Sequence, residues 1–420
     1  MKKTGLLLSL LLSISLLSLS SSNDDSEEGR NADFFFGEES FEYQVKSEHG
    51  AIKTLKVLPH GFTNYRIGWI EIQPLTFITP NHLDADSIFY VLEGSGAVSM
   101  LHEGSRESHS LEKGDIIKVW AGSIVYMINK CKDQKLKIVK LLQPVGGFGM
   151  VEAFYSSGRE ESESYYQSFS IELLEAALNS RESVLEQFFG KQRREAIVKA
   201  SEEKIRAIAA KQSSKPFSKS KSPFNLLNKK PSSKNNRGQL LEADQRDYEL
   251  LKDLNARVSY ANITKGSMML PFFNTRAFKI ALIERGSGYV EMICPQVASS
   301  EEEPMRKRYR KLKSPVSEGM VFVTPPGHPI AIVAGREESL EVFSFEVLAE
   351  NNELVYVAGK DNILGQMDSE SKELSFGAPE KVVDEVLRGG EDEVFVAGPE
   401  ERERKEKSPL QSFLKSVSGF

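Results

Sequence analysis

The sequence has few of the side chains that metalloenzymes and Cys/His catalytic centres use. It has 420 residues but only six histidines, two cysteines and two tryptophans. A zinc site or a Cys/His catalytic centre needs several of these side chains to converge on one point, so most classes of metalloenzyme are disfavoured. Two cysteines in a chain of this length also exclude a small disulfide-stapled scaffold.

The chain also lacks a large excess of charge of one sign. Its 54 basic and 60 acidic side chains leave a net charge of −6 at pH 7. That value is too small to indicate nucleic acid as a partner. With 40% hydrophobic and 27% charged residues, the composition is typical of a globular protein long enough for two or three domains.

A long apolar run occurs only near the N-terminus. Two lysines precede an apolar stretch from Leu6 to Leu19, and the small residues Ser20 to Ser22 follow it. The run is short for a membrane span, so the pattern predicts a secretory signal peptide over 1–22, with an anchor helix as the alternative. No later segment offers the roughly 18 apolar residues of a transmembrane helix, so we expect no integral membrane insertion.

The rest of the sequence repeats itself once. Short runs of β-branched and aromatic residues, separated by Gly and Pro, fill 34–160 and again 238–375. The segments Glu112–Ile117 and Ser317–Phe322 correspond, since each places a glycine turn before an apolar run. Strands at this spacing without intervening helices predict two antiparallel β-sandwiches or barrels.

A helical segment follows each predicted β-domain. Apolar residues recur at helical intervals over 165–210 and, more briefly, over 378–390. These apolar faces are buried either within their own domain or against another subunit. Between the repeats, 211–237 is basic, rich in Ser, Pro and Asn, and predicts a disordered linker, and 400–420 predicts a flexible tail.

Several stretches resemble the vicilin, or 7S seed globulin, family of bicupins. They include PNHLDADSIFYVLEGSG, IVKASEEKI and VFVTPPGHPIAIVA, in order along nearly the whole mature chain. The resemblance implies a mainly β fold of two cupin (jelly-roll β-barrel) domains, each with an appended α-helical arm. It also implies a non-enzymatic seed storage protein, a nutrient reservoir that is deposited in protein storage vacuoles and degraded at germination.

The same resemblance implies a homotrimer in which the arm of one subunit packs on its neighbour. The apolar positions expected in that contact are Leu173, Leu174, Ala177, Leu178, Val382, Val383, Val386 and Leu387. Within the family, ANITKGSMM and EMICP are most similar to the sucrose-binding-protein-like branch. The alternative function is therefore a sucrose-binding or membrane-associated protein, extracellular or at the plasma membrane.

Enzymatic cupins hold a metal through three histidines and one glutamate, and the first repeat has lost most of this set. It keeps His82, but Asp84 stands at the second histidine position, Ile88 at or next to the glutamate position and Val125 at the third histidine position. His82 and Asp84 therefore form either a turn or a degenerate metal site. A metal-dependent cupin enzyme is the third functional alternative, and we predict no catalytic residues and no cofactor.

The second repeat has lost its ligand positions as well. Phe273 and Ile330 stand where two of the histidines are expected. Some vicilin-like proteins bind copper through a Cys-x-His strand near a GHP turn. Here Cys294 and His328 are present, but Gln296 replaces the strand histidine. Copper bound by Cys294 and His328 is thus an alternative to an empty barrel.

Two further features concern covalent modification. Cys131 and Cys294 lie at non-equivalent positions of different repeats, so we expect two buried free thiols, with a disulfide as the alternative. Asn262 begins the sequence Asn-Ile-Thr and is a candidate glycosylation site in a secreted protein.

Overall fold

The computed structural model describes residues 34–56, 64–146, 150–158, 164–190, 195–210, 222–295, 309–388 and 394–401. The predicted signal peptide and nearly all of the predicted tail lie outside these residues. Strands dominate the described part of both repeats. The predicted mainly β fold is therefore confirmed.

Each repeat contributes thirteen strands to the described part of the chain. The strands of the first repeat are β1 (Phe35–Phe36), β2 (Phe41–Ser47), β3 (Gly50–Leu55), β4 (Arg66–Ile72), β5 (Thr76–Leu83), β6 (Ala85–Glu93), β7 (Ser95–His102), β8 (Ser105–Glu112), β9 (Asp115–Val119), β10 (Ile124–Asn129), β11 (Leu136–Pro144), β12 (Ala153–Tyr155) and β13 (Ile197–Lys199). Those of the second are β14 (Phe224–Asn225), β15 (Ser233–Asn235), β16 (Gly238–Ala243), β17 (Ala256–Ile263), β18 (Ser267–Asn274), β19 (Phe278–Arg285), β20 (Ser287–Pro295), β21 (Tyr309–Ser317), β22 (Val321–Thr324), β23 (Ile330–Ala334), β24 (Leu340–Val347), β25 (Leu354–Tyr356) and β26 (Phe395–Ala397).

Helices follow the twelfth strand of each repeat. They are α1 (Ile171–Leu178), α2 (Glu182–Gly190) and α3 (Glu202–Ala210) in the first repeat, and α4 (Ser369–Phe376) and α5 (Glu380–Leu387) in the second. Ser170 and Asp368 cap α1 and α4, because each side chain accepts a hydrogen bond from a backbone N–H of the first turn. These helices form the two predicted arms.

The two repeats have the same topology. The outer sheet of the first repeat has the order β12-β5-β10-β7-β8, and that of the second has the order β25-β18-β23-β20-β21. β13 and β26 each add to the edge of β5 and β18 in the same way. Each strand thus corresponds to the strand thirteen positions later, which establishes the repeat as structural.

The inner sheets exchange their first strands. The inner sheet of the first repeat runs β14-β9-β6-β11-β4-β3-β2, and that of the second runs β1-β22-β19-β24-β17-β16-β15. Phe35 therefore pairs with Phe322 of the second repeat, and Phe224 pairs with Ile116 of the first. This exchange covers one edge of each inner sheet with a strand from the other repeat.

The inner sheets are buried on both faces, which explains their nearly continuous apolar sequences. In β6, Phe89 and Val91 face the interior of the first sandwich, whereas Ile88 and Tyr90 face the second repeat. The rings of Tyr90 and Phe343 stack with their centroids 3.6 Å apart across this contact. One hydrophobic core thus lies inside each sandwich, and a third joins the two repeats.

Two equivalent glycines set the turn after the sixth strand of each repeat. Gly94 has φ +83° and Gly286 has φ +87°. A Cβ at Gly94 would lie 2.1 Å from the carbonyl oxygen of Lys135, and one at Gly286 would lie 2.2 Å from that of Ser339. The two GSG sequences are therefore turns that only glycine permits at this position.

The predicted disordered linker 211–237 is wrong for residues 222–237. These residues contain β14, β15 and a 3-10 turn over Leu226–Asn228, and Leu226 is fully buried between the repeats. Composition was misleading because Phe224 and Leu226 gain a sheet edge and an apolar core from the other repeat. Residues 211–221 lie outside the described part of the chain.

The predicted arm boundaries also need correction. Ile197–Lys199, predicted as helical within 165–210, is a strand because it pairs with the edge of β5. The second arm begins at Ser369, inside the range 238–375 predicted for the C-terminal cupin, rather than at 378. A strand distant in sequence decided the structure of Ile197–Lys199, whereas the helix that begins at Ser369 packs against the next helix of its own arm.

Candidate functional site

The interior of the first barrel is where a cupin metal would bind. His82 lies in β5, and its ring stacks on Phe154 with a centroid distance of 5.0 Å. The ring of Tyr165 makes an edge-to-face contact with the His82 ring, with a centroid distance of 5.9 Å. Within the described ranges, no three His, Cys, Asp or Glu side chains converge in a way that could hold a metal ion.

The acidic residues after His82 bond to the backbone. The Asp84 carboxylate accepts a hydrogen bond of 2.8 Å from the Glu152 N–H, and the Asp86 carboxylate accepts one of 3.1 Å from the Ala121 N–H. Both carboxylates thus fix loops at the end of the barrel. This arrangement matches the turn interpretation of the motif.

Cys294 and His328 lie on neighbouring segments of the second barrel. The N–H of Ile293 donates a 2.9 Å hydrogen bond to the carbonyl of Pro329, and this register places His328 across from Cys294. The His328 Nδ1 is 3.1 Å from the Pro326 carbonyl oxygen. Burial raises the pKa of the Cys294 thiol, which disfavours the thiolate that binds metal. With no third donor among the described residues, this pair does not fit a copper centre.

The remaining predicted positions are the two cysteines, as free thiols, and the candidate glycosylation site Asn262. Cys131 and Cys294 are both free, but Cys131 is half-buried, not buried as predicted, and its Sγ lies 3.1 Å from Ser95 Oγ. Asn262 lies in β17 between β16 and β24 and is half-buried. Glycosylation of Asn262 stays a prediction.

Sequence reasoning missed the most unusual side chain of the interior, Lys140. It lies in β11 between Ile138 and Leu142, on the face that points into the first barrel, and it is 4% exposed. Gly68 on the adjacent strand makes room for it, since a Cβ there would lie 2.6 Å from the Lys140 Cε. The sequence signal that could have revealed this buried lysine is its place in an alternating pattern, because Lys140 interrupts the apolar set Leu136, Ile138 and Leu142.

Lys140 lines a cavity of about 30 Å³ inside the first barrel. Asn81, His82, Ser123 and Tyr155 also line it, and no carboxylate does. The ammonium group has no hydrogen-bond or ion-pair partner among the described residues. Burial lowers the pKa of Lys140 to about 8, so the group still carries its charge at neutral and acidic pH.

The second barrel buries a lysine in a different way. Lys279 Nζ lies 2.9 Å from the carboxylate of Glu346 and 3.0 Å from Ser259 Oγ. Arg257 lies 3.6 Å from the other carboxylate oxygen. Burial by itself would raise the pKa of Glu346. The positive charges of Lys279 and Arg257 outweigh burial, so the pKa of Glu346 lies below its ordinary value. The buried charge of the second barrel is therefore internally neutralised.

Neither barrel, as described, brings together the donors that cupin catalysis uses. None of the helices in the described ranges is long and apolar enough to cross a membrane. The fold and the two interiors thus define a bicupin with packed barrels and one small charged cavity.

Comparison with known proteins agrees with this class. A family model described as Cupin matches residues 224–384, within the second half of the chain. The vicilin of Corylus avellana is 41% identical over 397 residues, which cover 92% of this chain and 88% of that protein. The crystal structure of hazelnut vicilin matches with a TM-score of 0.80 at 42% identity, over 87% of this chain and 99% of that one.

A second solved structure is relevant to the cavity. The vicilin of Solanum melongena matches with a TM-score of 0.82 at 31% identity, over 89% of this chain and 100% of that one. Its crystal structure revealed different anionic ligands in structurally similar pockets.

This chain belongs to the vicilin family of seed storage globulins. The predicted family, the bicupin fold and the storage function are thereby confirmed, and vicilins are non-enzymatic. The sucrose-binding-protein-like branch within the family stays a prediction.

We predict that neither barrel retains a transition metal, because the described residues supply too few converging donors. Elemental analysis after mild dialysis should find far less than one equivalent of iron, manganese, zinc or copper per chain. One equivalent of copper that disappears in Cys294→Ser or His328→Ala would restore the copper alternative. One equivalent of manganese or iron that disappears in His82→Ala would restore the enzyme alternative.

Proposed function

We propose that this vicilin is a homotrimeric reserve that enters the secretory pathway, accumulates in protein storage vacuoles and is degraded at germination. The family membership supports the storage role, and the N-terminal sequence supports the route. The observation that carries the assembly is the apolar surface of the two arms.

Both arms expose large apolar side chains. In the first arm Leu173 is 50% and Phe188 is 59% exposed, and in the second Leu374 is 87% and Val386 is 75% exposed. Several large apolar side chains exposed on one short helical arm indicate an interaction site. We propose that the first arm of one subunit packs on the second arm of the next in a head-to-tail contact, which a closed ring satisfies in every subunit.

Two of the predicted contact residues are not available to a partner. Leu174 packs in a small cluster with Leu185 and Phe189 and is 4% exposed. Val383 is also 4% exposed. The prediction that they lie in the trimer contact is therefore wrong, because each holds its helix to its own chain.

For assembly, we expect Leu374→Glu combined with Val386→Glu to convert the trimer into a monomer, because two charges would be buried in an apolar contact. Sedimentation velocity at micromolar concentration measures the change. Glu385→Gln, on the exposed side of the same helix, is the matched control and should remain trimeric. A wild-type chain that sediments as a stable monomer would contradict the proposed assembly.

For storage, we expect the protein to be abundant in mature seed and to disappear after germination. Quantifying the protein across seed filling and germination tests this expectation. Persistence in sucrose-transporting tissue would instead favour the sucrose-binding alternative. The structure gives that alternative no support in the first barrel, where the cavity next to Lys140 has about the volume of one water molecule.

A second function concerns the cavity next to Lys140. We infer that the first barrel binds a small anion, because burial of an ammonium group without a carboxylate partner costs free energy that a bound anion would offset. The anionic ligands of the Solanum melongena vicilin support this inference. The ammonium group selects a small monoanion. About 30 Å³ is close to the volume of one water molecule in the liquid, so an anion as large as acetate displaces lining side chains when it binds.

We therefore expect acetate to bind the wild-type protein and not Lys140→Met, which keeps the length of the side chain but removes its charge. Binding should weaken as the pH rises above about 8, because the amine then loses its proton. Isotope-labelled acetate followed by NMR measures both effects. Lys137→Met, on the opposite face of β11, is the matched control, and equal binding by Lys140→Met would disprove the site.

A further inference from the structure

The strand registers place the interiors of the two barrels in correspondence. Lys140 of β11 lies opposite Gly68 of β4, just as Ser344 of β24 lies opposite Ser259 of β17. Lys140 and Ser344 are thus equivalent positions. The lysine of the second barrel has a different origin, since it comes from β19.

Two residues further along, Leu142 corresponds to Glu346. Both are buried and point into their barrels, at 1% and 2% exposure. Residues two apart on one strand lie on the same face, roughly 7 Å apart. A carboxylate at position 142 could therefore reach the long side chain of Lys140, whereas Leu142 offers it no charge.

We propose that the anion site is confined to the first barrel, because the second barrel carries its own anion, the side chain of Glu346. This proposal rests on the proposed binding of a small anion next to Lys140. In the second barrel Glu346 compensates the ammonium of Lys279 at 2.9 Å, as the bound anion does in the first. The residue at position 142 or 346 decides whether a barrel accepts a ligand.

Chemical rescue tests this proposal in the second barrel. Glu346→Ala removes a carboxylate and leaves a hole of nearly the size of acetate beside Lys279. We expect this variant to bind two equivalents of acetate per chain, where the wild type binds one, and to gain more in melting temperature from acetate than the wild type does. Lys279→Met combined with Glu346→Ala has no ammonium group there and should return to one equivalent.

The reciprocal test adds an anion to the first barrel. Leu142→Glu should lose acetate binding, because its own carboxylate then pairs with Lys140. Leu142→Gln is the matched control, since glutamine has the shape of glutamate without its charge, and this variant should still bind one equivalent of acetate.

The Glu346→Ala variant of the second barrel stays informative if it does not fold without acetate. Its refolding by acetate but not by acetamide is then the equivalent result.

The outcomes separate this proposal from the function on which it rests. A wild-type protein that binds no acetate disproves the anion site itself. Two other results keep the anion site but overturn the role of position 346. The first is a wild-type protein that binds two equivalents of acetate. The second is a wild-type protein that binds one equivalent while Leu142→Glu still binds acetate and Glu346→Ala gains no second equivalent.

Discussion

The apolar contact between the two inner sheets is the constraint on which the rest of this structure depends. Each inner sheet is covered on one face by its own outer sheet and on the other by the second repeat, so its strands must be apolar on both faces. Tyr90 stacked on Phe343 lies at this contact. Tyr65 reinforces it by donating a hydrogen bond to the carbonyl of Leu254, 3.1 Å away. The exchanged strands β1 and β14 extend the same contact to the sheet edges, so neither repeat is complete without the other.

This arrangement also explains why the arms have exposed apolar surface. With the inner sheets packed against each other, the helices lie outside the three main cores. Small clusters hold the first arm to its own chain: Leu174 packs with Leu185 and Phe189, and Ile205 packs with Ala97 and Ile128 of the outer sheet. The apolar residues beside them remain exposed in a single chain.

The two barrels show how one fold manages a buried charge in two ways. Both sandwiches bury a lysine at a position where apolar packing alone would suffice. In the second barrel the lysine donates hydrogen bonds to Ser259 and to the carboxylate of Glu346, and Arg257 lies beside the other oxygen of that carboxylate. In the first barrel Gly68 and a small cavity take their place. The interiors of the two barrels therefore differ, and the difference lies in a few residues of three strands, β4, β6 and β11 in the first repeat and β17, β19 and β24 in the second.

The repeat, the apolar strands and the absence of a catalytic ligand set follow from the sequence alone, because they depend on local pattern and on residue types. Two similar β-domains were predictable for the same reason, since the glycine turns and the apolar runs recur in register, and the resemblance to a known family implied the bicupin fold. The strand exchange at Phe35 and Phe224, the strand at Ile197 and the site at Lys140 were decided only by tertiary structure. Each of them depends on a partner far away in the chain. The role of a lysine in an apolar strand follows only from its neighbours on the adjacent strands.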